Sequence, residues 1–278
     1  MAELAKSYWR SSTPLTTTSQ LTQHRPFTPS VPIDFDFNSL YRLFLGNDPA
    51  PTASSSPPTS TASPGPPRSP EHYRLLGANH FVTLERWPSP IFGIASRGAH
   101  LTAYVGRGRD MKIWIAHRSK RIFTYPGKLD SSVAGGIKAD DTPRECITAE
   151  AWEEASLDRD FVRDNVKATG MVSYVGENKR NGTIQPVVLY VYDLEMPEDM
   201  ELKPQDDEVE FFSLMSVDEV RNAMLEYKFK PNCCLVMIDF FVRHGIMTDE
   251  NEEDYLELIT RLRRTLPVPL SPSKRVVE

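Results

Sequence analysis

The chain of 278 residues is poor in cysteine, with only Cys146, Cys233 and Cys234. The adjacent pair Cys233-Cys234 is a poor disulfide pattern and lacks metal-ligand spacing, which argues against a disulfide framework and a thiolate zinc site. Buried, reduced thiols are the expected state, in keeping with a reducing, cytoplasmic compartment. Long hydrophobic runs are missing too. No apolar stretch approaches the ~20 residues that span a bilayer, so no contact with membrane is expected. Positive charge is not in excess. The formal net charge is −6, which argues against a general nucleic-acid surface. There is no internal repeat. What remains is ordinary for a soluble globular protein, with 40% hydrophobic and 25% charged residues.

Composition changes along the chain. Residues 1–33 are rich in Ser, Thr and Gln, with few bases. A disordered tail fits them better than an organelle transit segment, because arginine is scarce and no amphipathic stripe is evident. Residues 35–45, FDFNSLYRLFL, place Leu40, Leu43 and Phe44 at i, i+3 and i+4 and predict a short helix. The Pro/Ser-rich stretch 49–70 cannot bury enough apolar surface to order itself. The chain therefore divides into a tail and linker (1–71), an N-terminal extension packing on the body (72–97), a main domain (98–246), and a C-terminal helix with a frayed end (247–278).

Within the body, strands are predicted at 79–84, 91–95, 99–105, 112–119, 167–174 and 184–194. Residues 159–165 read as a polar helix end or loop, and 176–182, GENKRNG, as a turn-rich loop able to overhang a site. A buried helix is predicted at 233–242, entered through Lys230-Pro231-Asn232. An amphipathic one follows at 252–265, with Tyr255, Leu256, Ile259 and Leu262 on one side. Phe211-Phe212 reads as a buried segment. Arg118 and Lys120 sit near a strand end, either as ordinary surface charge or as contacts for a substrate phosphate.

The most informative stretch is 134–157, AGGIKADDTPRECITAEAWEEASL. Gly135-Gly136 and an acidic turn lead into a helix start: Thr142 as N-cap, Pro143 at the first helical position, and Glu145 completing a capping box. Ile147, Ala151 and Ala155 supply a narrow apolar edge. Glu150, Glu153 and Glu154 stand at i, i+3 and i+4 and project from one face. Three like charges there repel unless neutralised. A solvated acidic helix face is one reading; a carboxylate cluster holding a hard divalent cation is the other.

The same stretch resembles the Nudix box, in which a glycine, five residues, a Glu, and seven residues precede Arg-Glu-apolar-x-Glu-Glu-x-Gly. Gly135 takes the opening glycine, Asp141 the first acid, Glu150 the acid of the Arg-Glu pair, and Leu157 the closing apolar position. Three positions depart: Asp141 for Glu, Ala149 for Arg and Ser156 for Gly. Further similarity in Arg97-Gly98-Ala99-His100-Leu101, Tyr125-Pro126-Gly127 and the FKPNCCLV…DFFVRHG segment points to a subgroup described as thiamine pyrophosphokinase-related.

The resemblance implies an α/β/α sandwich with a mixed sheet. It also implies Mg²⁺, with Mn²⁺ as a substitute, and water attack on a phosphorus of a small-molecule diphosphate to give the monophosphate and phosphate. Glu153 and Glu154 would be the principal metal ligands, Glu150 a ligand or general base, and Glu208 a fourth acid from a late loop. Backbone at Gly135 and Gly136 would approach the substrate and metal closely. A thiamine diphosphate-like substrate is the expectation. A prenyl or other specialised-metabolite diphosphate is the chemical alternative, and a Nudix-fold binding module with weakened catalysis the rival class.

Overall fold

A computed structural model of the protein describes residues 72–74, 83–85, 94–177, 184–268 and 270. The expected helix at 35–45, the 49–70 stretch, and parts of the 79–84 and 91–95 strands and of the 176–182 loop lie outside them. Strands β1 (His72–Arg74) and β2 (Thr83–Glu85) pair antiparallel as a small sheet.

A mixed seven-stranded sheet organises the rest. Its strands are β3 (Ser96–Val105), β4 (Lys112–Arg118), β5 (Leu129–Asp130), β6 (Val133–Gly136), β7 (Lys167–Glu177), β8 (Ile184–Glu195) and β9 (Val209–Ser216). β3 is its axis. One edge of β3 runs parallel to β8, from Ser96↔Val187 to Tyr104↔Glu195. The other edge is shared, with β6 opposite Gly98 to Leu101 and β4 opposite Tyr104 and Val105. Side chains alternate across β3. Ala99, Leu101, Ala103 and Val105 enter one core, while Tyr104 enters the other.

Helices α1 (Pro143–Ala155) and α2 (Arg159–Asn165) cover the first face; α3 (Val217–Leu225), α4 (Pro231–Arg243) and α5 (Tyr255–Leu262) cover the second. The result is the expected α/β/α sandwich. The α1 start forms as read: the Thr142 hydroxyl accepts the Glu145 N–H, and the Glu145 carboxylate accepts the Thr142 N–H. Ile147, Ala151 and Ala155 are fully buried. At the other end Ser156 is left-handed (φ 55°), and the Leu157 N–H returns to the Ala151 carbonyl.

Several expectations are corrected. Residues 159–165 are a separate short helix, neither the end of α1 nor a loop, capped by the Asp158 carboxylate. α3 was not foreseen, although Ser216 and Glu219 form a second capping box. Phe211 is not buried: it is 46% exposed and stacks on its cross-strand partner His117 at 3.9 Å. α5 turns Leu258 and Leu262 into the α4 core and leaves Leu256 outside. Leu262 and Tyr255 pack as expected; Leu258 joins them in place of Leu256 through contact with β7 and α4. Cys146 and Cys233 are buried free thiols, and Cys234 is half-buried.

Candidate active site

β6 and the C-terminal half of α1 meet along the N-terminal half of β3. Gly136 pairs with Gly98, and Gly135 with Ala99. The Glu150 side chain lies directly over the Gly135 backbone. A Cβ on Gly135 would stand 2.2 Å from Glu150 Oε1 and 2.3 Å from its Cγ and Cδ. Only a residue without a side chain leaves that space. Gly135 therefore admits the helix carboxylate.

The three helix glutamates do not share one environment. Glu154 is buried and its Oε2 accepts the Ala134 N–H at 3.1 Å. Glu150 is half-buried and Glu153 exposed. Burial pushes the Glu154 carboxyl well above the usual carboxylate range; Glu150, and more weakly Asp130 and Glu208, push it the same way. Glu208, half-buried just before β9, is thus an electrostatic neighbour of Glu154 although it comes from a distant segment.

Arg118 is placed differently from the sequence reading. Its guanidinium donates to Asp130 Oδ2 (2.6 Å) and to the Thr124 carbonyl (3.0 and 3.3 Å), and its side chain is only 12% exposed. An arginine spent on a buried carboxylate is not presented to a phosphate. Lys120 remains exposed, packed over the turn at Gly127.

Among the described residues, the one set of three His, Cys, Asp or Glu donors lying within 4.8 Å of one another is His100, Asp130 and Cys233. It is a poor cation site. Asp130 already accepts from Arg118, Lys230, the Ser131 N–H and the Cys233 thiol. Burial holds the Cys233 thiol protonated, and the two cations would repel a third. The glutamates are spread more widely, but they offer hard oxygen donors, which suit Mg²⁺. Cys146, on the same helix, is pushed up to about 12 by burial and then by Glu150, so no thiolate is available there. A surface cavity of about 380 Å³, lined by Tyr104, Arg107, Lys167, Glu195 and His244, lies at the opposite end of β3 from the glutamates. Its Arg107 is already paired with Glu195, and it has no part in this site.

Comparison with known proteins bears on the same residues. Residues 98–233 match the family model of the NUDIX domain. This chain carries a Nudix domain. The match takes in β6, the whole of α1 and Glu208. The chain is 43% identical over 200 residues to the uncharacterized protein YJR142W of Saccharomyces cerevisiae, covering 68% of this chain and 58% of that protein. It is 41% identical to Nudix hydrolase 20, chloroplastic, of Arabidopsis thaliana (66% and 48% covered). Nudix hydrolase 24, chloroplastic, of the same plant is 39% identical (68% and 51% covered). The aligned part thus spans about half the length of these relatives.

Two departures from the box acquire a structural meaning. Ser156 occupies a left-handed helix end, where glycine is favoured because it has no Cβ to strain. Ala149 is half-buried beside Glu150 and brings no guanidinium to the helix. Sequence reasoning gives no role to Asp130 or to the Ala134 N–H. Asp130 left a signal, since a carboxylate directly before two serines and a glycine pair sits where a loop enters the box.

Proposed function

We propose that the protein is a divalent-metal-dependent hydrolase of organic diphosphates. The observation that carries this reading is the inward-turned Glu154, held by the Ala134 N–H, with Glu150 over bare glycine and Glu208 as its electrostatic neighbour. Glu150, Glu153, Glu154 and Glu208 would hold Mg²⁺ or Mn²⁺, which when bound neutralises phosphate charge and acidifies coordinated water. Burial, and then the neighbouring carboxylates, raise the Glu154 pKa in the metal-free chain, and a cation held there would favour its ionised form. Glu154, fixed and desolvated, serves as a ligand. Glu150 and Glu153 reach solvent, and one of them takes the proton as water attacks phosphorus and the bridging oxygen leaves with the organic phosphate. In this reading Gly135 and Gly136 bring backbone close to the reacting group, and Lys120, exposed, serves as a cation for the diphosphate.

A thiamine diphosphate-like compound is the substrate favoured by sequence resemblance, with a prenyl diphosphate as the alternative. The half-buried Ala149 favours the second reading, a weakly catalytic Nudix-fold binding module. The small-molecule substrate is the only partner this reading requires. No helix among the described residues is long and apolar enough to cross a membrane. The cytoplasm is the compartment proposed, with a fluorescent fusion of the full chain as the check, because two relatives are named chloroplastic.

The test is phosphate release from a panel of thiamine, prenyl and nucleoside diphosphates, with and without Mg²⁺, for wild type and Glu154→Gln. Metal-dependent release lost in the variant supports the hydrolase. Ligand binding without any release would move the reading to the binding module.

A further inference from the structure

Asp130 is the best-connected carboxylate of the domain and lies outside the box. It is 4% exposed. Its Oδ1 accepts the Ser131 N–H (2.8 Å) and the Cys233 thiol (2.7 Å); its Oδ2 accepts Arg118 Nη1 (2.6 Å) and Lys230 Nζ (3.1 Å). Two arms leave this hub, and each ends at a carboxylate of the site.

The first arm runs through Ser131, Ser132 and β6. Ser131 Oγ is bonded to His100 Nδ1 (2.9 Å), and Ser132 Oγ accepts the Ala103 N–H (2.8 Å) and donates to the Trp114 carbonyl (2.5 Å). These consecutive buried polar residues fix the start of β6, whose Ala134 N–H meets Glu154. The second arm runs through Arg118. The next residue, Ser119, donates its N–H to the Glu208 carbonyl (2.8 Å). Here the β4–β9 register breaks: His117 pairs with Phe211, but Arg118 pairs with Val209, leaving Glu210 as the extra residue of a bulge. In an unbroken strand Glu208 and Glu210 would share a face. Across the bulge they part: Glu208 lies before the break, half-buried and with its carbonyl on the Ser119 N–H, while Glu210 is the exposed extra residue. A bulge next to an active site re-aims a side chain, and Arg118 is the residue at its pivot.

We propose that the Asp130–Arg118 ion pair sets the position of Glu208 relative to the glutamates of α1. Arg118 and Asp130 are then positioning residues, acting on the metal site through backbone geometry without touching substrate. Lys230, the N-cap of α4, ties the start of that helix to the same carboxylate and keeps it neutralised when Arg118 is removed. This inference rests on the reading of the glutamates as a metal site.

The test uses Arg118→Met, which leaves the Asp130–Lys230 pair intact, and measures Mn²⁺ binding by electron paramagnetic resonance alongside kcat and KM. Mn²⁺ affinity and kcat should each fall about tenfold, as for loss of a supporting contact to a metal ligand, with KM little changed. In a Glu208→Gln background the further change Arg118→Met should do nothing more to Mn²⁺ affinity. Arg118→Lys, which keeps charge but not the fork, should fall between, and Glu210→Gln should leave the binding unchanged. A raised KM with intact Mn²⁺ binding would make Arg118 a substrate contact and overturn the inference. Full additivity with Glu208→Gln would overturn it as well. If the wild-type chain binds no Mn²⁺, the metal site fails and this inference falls with it. Binding untouched by Arg118→Met sinks the inference alone.

Discussion

Glu150 lies across the backbone of Gly135 so closely that a methyl group there would overlap three atoms of its side chain. The box glycine is therefore a steric partner of a particular carboxylate rather than merely a flexible turn. Gly135→Ala should lower kcat about a hundredfold by swinging Glu150 out of place, with little change in melting temperature. Combined with Glu150→Ala it should cost no more than Glu150→Ala alone. Steady-state kinetics and thermal melts of the three variants check this.

Ser156 holds a left-handed conformation at the end of α1. Such a conformation strains a residue with a Cβ by roughly 1–2 kcal/mol, partly offset by the chain entropy that glycine loses. Ser156→Gly should stabilise the protein by about 0.5–1 kcal/mol, read from urea denaturation, without altering KM.

His100 is buried, and burial followed by the Lys230 charge lowers its pKa from 6.5 to about 3, against the opposing pull of Asp130. Between those values the unfolded chain binds a proton that the folded chain does not. Stability is thus complete above pH 6.5 and declines as pH falls toward 3. From pH 7 to pH 5 this group should cost about 2 kcal/mol. Glu154, whose pKa is raised, acts in the opposite sense, so the comparison is wild type against His100→Asn. Equal slopes of unfolding free energy against pH in the two proteins would refute the assignment.

Asp239 is 1% exposed and joins Arg243 (2.7 Å) to Arg263 (3.0 Å), tying α4 to the chain just after α5. Arg243 also grips Asp193 of β8. Asp239→Ala leaves that second pairing and a half-exposed Arg263, so the loss should be roughly 2–3 kcal/mol, below that of a wholly orphaned charge. Urea denaturation measures it. The site lies at the other end of the sheet, and KM should not move.

The sequence by itself determined the parts governed by near neighbours. The capping box of Thr142 and Glu145, the buried stripe of Ile147, Ala151 and Ala155, and the candidacy of the helix glutamates all depend on residues within two turns of each other. The same local rules would have found α3 from Ser216 and Glu219. Tertiary structure decided what depends on distant segments. The helix spacing gave three equivalent glutamates. Only the approach of β6 distinguishes buried Glu154 from exposed Glu153. Arg118 stands at a strand end, where a phosphate could reach it, but β5 brings the Asp130 carboxylate against it. Glu208 and Glu210 are alike in sequence, and one extra residue in the β4–β9 register separates them. Such choices rest on packing and charge between elements dozens of residues apart, and no local pattern in the chain carries them.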